Sequence, residues 1–310
     1  MRNLKYIYLL LVIVFSVSTG CSIESAHPPS HQELIIASNF LTEADSLMFE
    51  EFETEENVDI TLIILSTEEL MTRLKDLNSS ANIDLVLMRS LQDVNNLSKE
   101  GLLHSFNVET FLPEEIVPYT SMRYHFVGVG IDPYIISYPK DSIISVKTYN
   151  DLTRMPYNNC VSPEDYPVLL APALDKLKKV EANNWIKQFI EQASPCKSPS
   201  DSLAHLPMLS TYSSFQMQND PSLGFIFPST NSTGSFYDLR TASIVNQASN
   251  FVVAKVFILH LSQPDINQEL NQQWNTISAF DNNSGFRKYQ AKSSQLIPYY
   301  ATVERVLSKL

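Results

Sequence analysis

From Leu34 onward, short apolar runs alternate with stretches whose apolar residues recur at helical spacing. Leu34 to Ala37 predicts a short strand. It leads through Ser38-Asn39-Phe40 to a helix starting near Thr42 or Glu43, which carries Leu47, Met48, Phe49 and Phe52. Val58 to Leu65 predicts a second strand. Thr67 to Leu77 predicts a helix with a cap at Ser66 or Thr67 and a stripe of Leu70, Met71 and Leu74. Ile83 to Met88 is almost unbroken in its apolar character, and a helix from about Leu91 to Lys99, stopped by Gly101, follows it. Strands that are apolar on both faces, separated by amphipathic helices, predict a parallel sheet covered on both sides, an α/β lobe.

A long strand-like segment from Tyr124 to Tyr138 comes next, with Gly128 and Gly130 suited to a crossing between lobes. Beyond it the pattern returns as a second α/β unit. A helical turn is expected at Asn150 to Leu152, a strand edge at Cys160-Val161, and helices over Pro167 to Val180 and Asn183 to Ala193. Further strands are expected at Gly224 to Phe227 and Ser243 to Val245, and an apolar helix at Phe251 to Leu261. No internal repeat or low-complexity segment interrupts this order.

The N-terminus has a different pattern. Arg2 and Lys5 precede an apolar run from Ile7 to Val17, followed by Ser18-Thr19-Gly20-Cys21. This is the layout of a signal peptide, and the run is short of the ~20 residues a membrane span needs. A cysteine directly after a small residue resembles the lipobox of bacterial lipoproteins, although Ser18 stands where an aliphatic residue is usual. The expectation is a signal peptide over 1–20, lipid attachment at Cys21, and a polar, Pro-rich tether over 21–32. The protein is thus expected to be exported and anchored by lipid to a bacterial membrane, facing the periplasm or extracellular space.

Arg2 and Lys5 are the only charged residues of the first 20, so the rest carries 20 basic against 34 acidic residues, a net charge of −14. That charge argues against nucleic acid or an anionic membrane surface as a partner. Acidic runs such as EADSLMFEEFETEEN read as solvated helix faces. Apart from Cys21 there are two cysteines, Cys160 and Cys196, and in an oxidising compartment a disulfide between them is expected, with two separate buried thiols as the alternative. No Cys or His has zinc-ligand spacing, and no nucleophile elbow, phosphate loop or acid pair is present, so the chain does not read as an enzyme. Asp84, Glu164, His125 and His205 read as surface, turn or cap residues.

The order of segments is itself informative. "LMFEEFETEENVDITLII", "TEELMTRLKDLNSSANIDLVLM", "LSKEGLLHSF", "YIISYPKD", "TYNDL", "CVSPEDYPVLLAPAL", "LSTYSSF", "LGFIFPSTNSTGSF" and "NFVVAKVFILHLSQPDINQ" resemble, in sequence, the extracellular solute-binding proteins of ABC importers, particularly the ferric-iron-binding branch. The resemblance covers most of the chain beyond the tether. It implies a two-lobe periplasmic-binding-protein-like fold with a hinge of crossing strands, the first lobe formed by 33–127 plus about 241–285 and the second by 128–240 plus about 286–310. It also implies a small solute or metal ion as cargo, with ferric iron the candidate metal, and ABC permease subunits as partners. A surface lipoprotein using the same fold as a scaffold for protein contacts is the alternative. A ligand-sized cleft favours uptake, whereas a filled cleft beside an exposed apolar patch favours the scaffold.

Ferric-binding relatives hold the metal with tyrosine phenolates, a sensible pairing of hard cation and anionic oxygen. By position Tyr166 and Tyr212 match two of those tyrosines and are the candidate metal ligands. The sequence departs from the ferric pattern at three places. Ser213 replaces the second member of the adjacent pair, Asn39-Phe40-Leu41-Thr42 has no His or Tyr, and Asp132-Pro133-Tyr134 replaces an arginine-rich strand entry. The candidate cleft residues are therefore Tyr166, Tyr212, Ser213, Asn39, Phe40, Asp132, Tyr134 and Tyr237, and Asp132 and Asp165 read as solvated turn residues or, in the cleft, as carboxylates that hold a metal or select a cationic organic solute. Tyr299-Tyr300 reads as packing.

Overall fold

The structure, a computed structural model, describes residues 32–310 except 77–82, 107–108, 122, 124, 143–145, 197–205, 230–233 and 290. The expected signal segment, Cys21 and His205 lie outside the described residues, as does all of the tether but Gln32. Among the described residues no helix is long and apolar enough to cross a membrane.

The first lobe follows the apolar pattern closely. β1 (Gln32–Ser38) pairs in parallel with β2 (Val58–Ile64) on one side and β3 (Leu85–Met88) on the other. The segment between β1 and β2 begins as a 3-10 turn over Glu43–Phe49 and becomes α1 (Glu50–Glu56), ending at Asn57 in the left-handed conformation. α2 (Thr67–Lys75) is capped by Ser66, whose hydroxyl accepts from the Glu69 amide while the Glu69 carboxylate accepts from the Ser66 amide. α3 (Leu91–Lys99) follows β3 after Arg89-Ser90, and the chain leaves it at Gly101, which has positive φ.

Two strands then carry the sheet from one lobe to the other. β4 (Thr120–Ser121) is a short partner of the 14-residue β5 (Phe126–Pro139). The first half of β5 pairs with β10 (Tyr237–Ile244), and its second half pairs with β8 (Met208–Thr211) and β9 (Leu223–Ile226). Pro133 sits where the ladder to β10 gives way to the ladder to β8, a place where a residue without an N–H is tolerated. A Cβ at Gly128 would come within 2.8 Å of the Tyr119 backbone oxygen, so close strand approach requires glycine there.

The second lobe continues the sheet through β8 to β6 (Tyr157–Asn159) and β7 (Ala193–Pro195), giving the overall order β2-β1-β3-β10-β5-β8-β6-β7. Its helices are α4 (Tyr166–Lys176), α5 (Lys179–Glu191) and the short α6 (Tyr212–Gln218). The Cys160–Cys196 disulfide closes the stretch that contains α4 and α5. α7 (Phe251–Leu261) and α8 (Pro264–Gln273) return to the first lobe, where Phe257 meets Phe49 and Phe52 edge-on at 5.2 and 5.0 Å. α9 (Ser293–Leu296) and α10 (Tyr300–Leu307) close the chain, with α10 packed on α4 and Tyr300 buried.

Several boundaries differ from the sequence expectation, among them the start of the helix expected at Asn183, which lies at Lys179. The helix expected over 167–180 stops at Lys176 because Leu177 and Lys178 are extended, and Lys178 starts the next helix with Glu181 accepting from its amide. The strand edge lies at 157–159 rather than at Cys160-Val161. β10 begins six residues before Ser243, because its first half contains the buried charges Asp238 and Arg240, which break the apolar pattern without being exposed.

Candidate functional site

The cleft is built on loops at the carboxyl ends of parallel strands, the usual place for ligands in α/β sheets. Asn39, just after β1, ties this end together. Its side-chain oxygen accepts from the Arg89 amide at 2.8 Å, and its Nδ2 donates to Thr67 Oγ1 at 2.9 Å and Asp93 Oδ2 at 2.7 Å. Phe40 and Trp274 then form an aromatic corner, ring centroids 5.3 Å apart and planes nearly perpendicular. From the other lobe come Ser162 and Asp165, before α4, and Ser213, Ser214 and the exposed Met217 of α6. Together these walls enclose a cavity of about 520 Å³.

The floor is a closed network on the crossing strands. Asp132 of β5 accepts from the Ser213 amide (2.9 Å), the Ser213 hydroxyl (2.6 Å) and Arg240 Nη2 (3.0 Å). Arg240 of β10 also donates through Nη1 to the Arg89 carbonyl at 2.6 Å, and its guanidinium lies 5.1 Å from the centre of the Phe40 ring. A buried charge is tolerated only when paired and hydrogen-bonded, and here both partners are.

A second ion pair joins the lobes. Arg89, directly after β3, reaches Asp165 through Nη2 at 3.1 Å. Burial raises the Asp165 carboxyl, opposed by the nearby Arg89 charge. Behind it Asp238 accepts from the Leu91 and Leu239 amides, both at 2.7 Å. Burial, and then the Asp165 charge, push its carboxyl up to about 7.

The raised Asp238 value has a stability consequence. The folded state holds this proton more tightly than the unfolded chain, whose value is near 4, so the stabilisation is full below pH 4 and is lost as pH rises through about 7. Asp238→Asn keeps an acceptor for Leu91 but cannot ionise. Relative to the native protein, its unfolding free energy is expected to be higher at pH 8 than at pH 5 by about 1.4 kcal/mol or more, the equivalent of a tenfold change in proton affinity. Urea titrations at the two pH values test this, and an equal difference at both would contradict it.

The structure gathers Asn39, Phe40, Asp132 and Ser213 around one cavity, with Asp165 beside them. It does not bring the tyrosines there. The Tyr166 hydroxyl accepts from Asn159 Nδ2 at 2.9 Å, and the residue lines a separate surface hollow beside the disulfide. Tyr212 packs among Phe225 and Phe227, and Tyr237 meets Tyr119 and Phe286 edge-on with Ser293 donating to its hydroxyl. Tyr134 is fully buried, and its hydroxyl has no hydrogen-bond partner among the described residues. Burial raises all four phenols, most strongly Tyr134, which opposes the deprotonation a metal phenolate needs. Among the described residues, no group of three or more His, Cys, Asp or Glu side chains is placed to hold a metal ion.

Arg89, Asp238, Arg240, Met217 and Trp274 escaped the sequence reading. Arg89 carried a usable signal, since a charge directly after the buried run 83–88 marks the carboxyl end of a parallel strand.

This arrangement defines a two-lobe α/β fold with a cavity between the lobes. No family model matches the chain, and no curated protein matches it by sequence. Solved structures do match its fold. A ferric binding protein from Campylobacter jejuni superposes with a TM-score of 0.74 at 18% identity, covering 89% of this chain and 98% of that one. Trichodesmium FutA in complex with iron and citrate gives 0.77 at 16% identity, with coverage of 89% and 98%. Mannheimia haemolytica ferric iron-binding protein A in an open conformation gives 0.77 at 14% identity, with 90% and 98%.

Proposed function

We propose that this chain is the solute-binding protein of an ABC uptake system, exported, lipid-anchored through Cys21, and closing on a small solute between two lobes formed by 33–127 plus about 241–285 and by 128–240 plus about 286–310. The observation that carries this reading is the cavity of about 520 Å³, within the size range of small-molecule sites and lined from both lobes and both crossing strands. A ligand touching both lobes binds the closed form better than the open one and shifts the population toward it, which lets a permease distinguish loaded from empty protein. The fold shared with ferric binding proteins supports binding over catalysis.

Thermal unfolding of the chain from Gln32 onward tests this, with ferric iron plus citrate, other metals, organic acids and amines, and X-ray scattering to follow closure. A ligand present at about 100 times its Kd is expected to add about 2.7 kcal/mol and to reduce the radius of gyration. Silence across the panel in both measurements would remove the uptake reading. For iron, the scattered placement of Tyr166 and Tyr212 leads us to expect that Tyr166→Phe and Tyr212→Phe leave any ferric citrate response within about twofold in Kd, less than the ~1.4 kcal/mol of a tenfold change. A tenfold loss in either variant would restore the phenolate site.

A further inference from the structure

We propose that the cleft takes a small organic carboxylate with an apolar body, and that Asp165 is a built-in competitor that holds the anion's place on Arg89 when the cleft is empty. This rests on the uptake reading and names the cargo class for the same site.

A ligand can reach only some of the charges in the cleft. The lower cleft contains two arginines and three aspartates. Arg240 and Asp132 are spent on each other, with side chains only 7% and 2% exposed. Asp238 is buried under two backbone amides, and Asp45 at the rim is bound into the turn at Thr42. Asp165 is 5% exposed, whereas the Arg89 side chain facing it is 39% exposed. The charged group of the floor that a solute meets is therefore a guanidinium, with the carboxylates beneath or beside it.

The shape of the guanidinium also favours a carboxylate. A guanidinium presents five donors in a planar fork that matches a carboxylate, and Asp165 occupies Arg89 through Nη2 alone. Asp165 belongs to the second lobe and Arg89 to the first, so the pair bridges the lobes as a ligand carboxylate would. An incoming anion therefore competes with Asp165 for the fork of Arg89. The body of such a solute has matching walls, Phe40 and Trp274 on one lobe and Met217, 66% exposed, on the other. A hard trivalent cation finds the reverse, a positive charge in reach and saturated oxygens behind it.

Three probes with one shared body separate the possibilities: phenylacetate, its neutral amide, and phenethylamine, titrated by calorimetry into the native protein, Asp165→Asn and Arg89→Gln. Phenylacetate is expected to bind most tightly of the three. Asp165→Asn, which removes the competing charge at nearly constant shape, should tighten it by about tenfold, and Arg89→Gln should weaken it by at least about tenfold, with Arg89→Lys between. A cooperative thermal unfolding transition in each free variant shows that it is folded. Preference for the amine, weaker phenylacetate binding in Asp165→Asn, or no phenylacetate binding to either the native protein or Asp165→Asn overturns the proposal. If that happens while another solute of the wider panel closes the lobes, the cargo class is wrong and the uptake reading stands. If nothing closes them, both fall.

Discussion

Arg240→Met is expected to destabilise the protein by about 3 to 5 kcal/mol, because it leaves the Asp132 carboxylate buried without its counter-charge. The methionine keeps most of the aliphatic stem, so the effect isolates the guanidinium rather than the packing against Phe40. It also removes the donor to the Arg89 carbonyl, and with it a tie between β10 and the loop after β3. Urea unfolding should show a lower midpoint at an unchanged slope, the signature of a stability change without a change in compactness. Asp132→Asn added to Arg240→Met should recover most of the loss. Asparagine can still accept from the Ser213 amide and interact with its hydroxyl, and no buried charge remains. A single-variant loss under about 1 kcal/mol would mean that water reaches Asp132 and that the floor of the cleft is not closed.

Replacing both cysteines, Cys160→Ser with Cys196→Ser, is expected to cost about 4 kcal/mol. The bridge spans 36 residues, and releasing a loop of that length returns this much conformational entropy to the unfolded chain. The loss should be visible as a lower unfolding midpoint in the variant and in the native protein kept under reductant. A functional effect is expected as well, since Cys160 lines the cleft and the chain runs from it through Val161 and Ser162 to Asp165. If the variant and the native protein unfold at the same urea concentration, the bridge is dispensable and the packing of α4, α5 and α10 holds this lobe without it.

Both predictions concern contacts of unequal legibility. The disulfide was readable because only Cys160 and Cys196 remain beside Cys21, so a single pairing was open to them. The Asp132–Arg240–Ser213 network was only half readable. Asp132 and Ser213 stood out as departures from the ferric pattern, but nothing near them pointed to Arg240, 108 residues from one and 27 from the other. Arg240 itself sat in a segment whose charges hid a strand, so neither its burial nor its partner could be inferred locally.

The tyrosines run the other way. Tyr166 and Tyr212 matched family positions, yet the Tyr166 hydroxyl accepts from Asn159, Tyr212 packs against Phe225 and Phe227, and neither lines the cavity. Ser213, the neighbour of Tyr212, does line it. Consecutive residues at the start of a helix point about 100° apart, so a one-residue change of identity moves the chemistry of a site while the fold stays the same.

By itself the sequence determined most strands and helices, since burial of apolar stripes at a period of 3.6 and of continuous strands is written locally. It also narrowed the cap to Ser66 or Thr67 and marked the stop at Gly101 and the glycine-bearing crossing strand. Only the tertiary structure decided which charges meet. Arg89 finds Asp165 across 76 residues, and Asp238 finds the amide of Leu91 across 147. A charged side chain in sequence reads as exposed, and its burial becomes affordable only where a distant partner neutralises it. That pairing depends on how the two lobes fold back on each other, not on any local pattern.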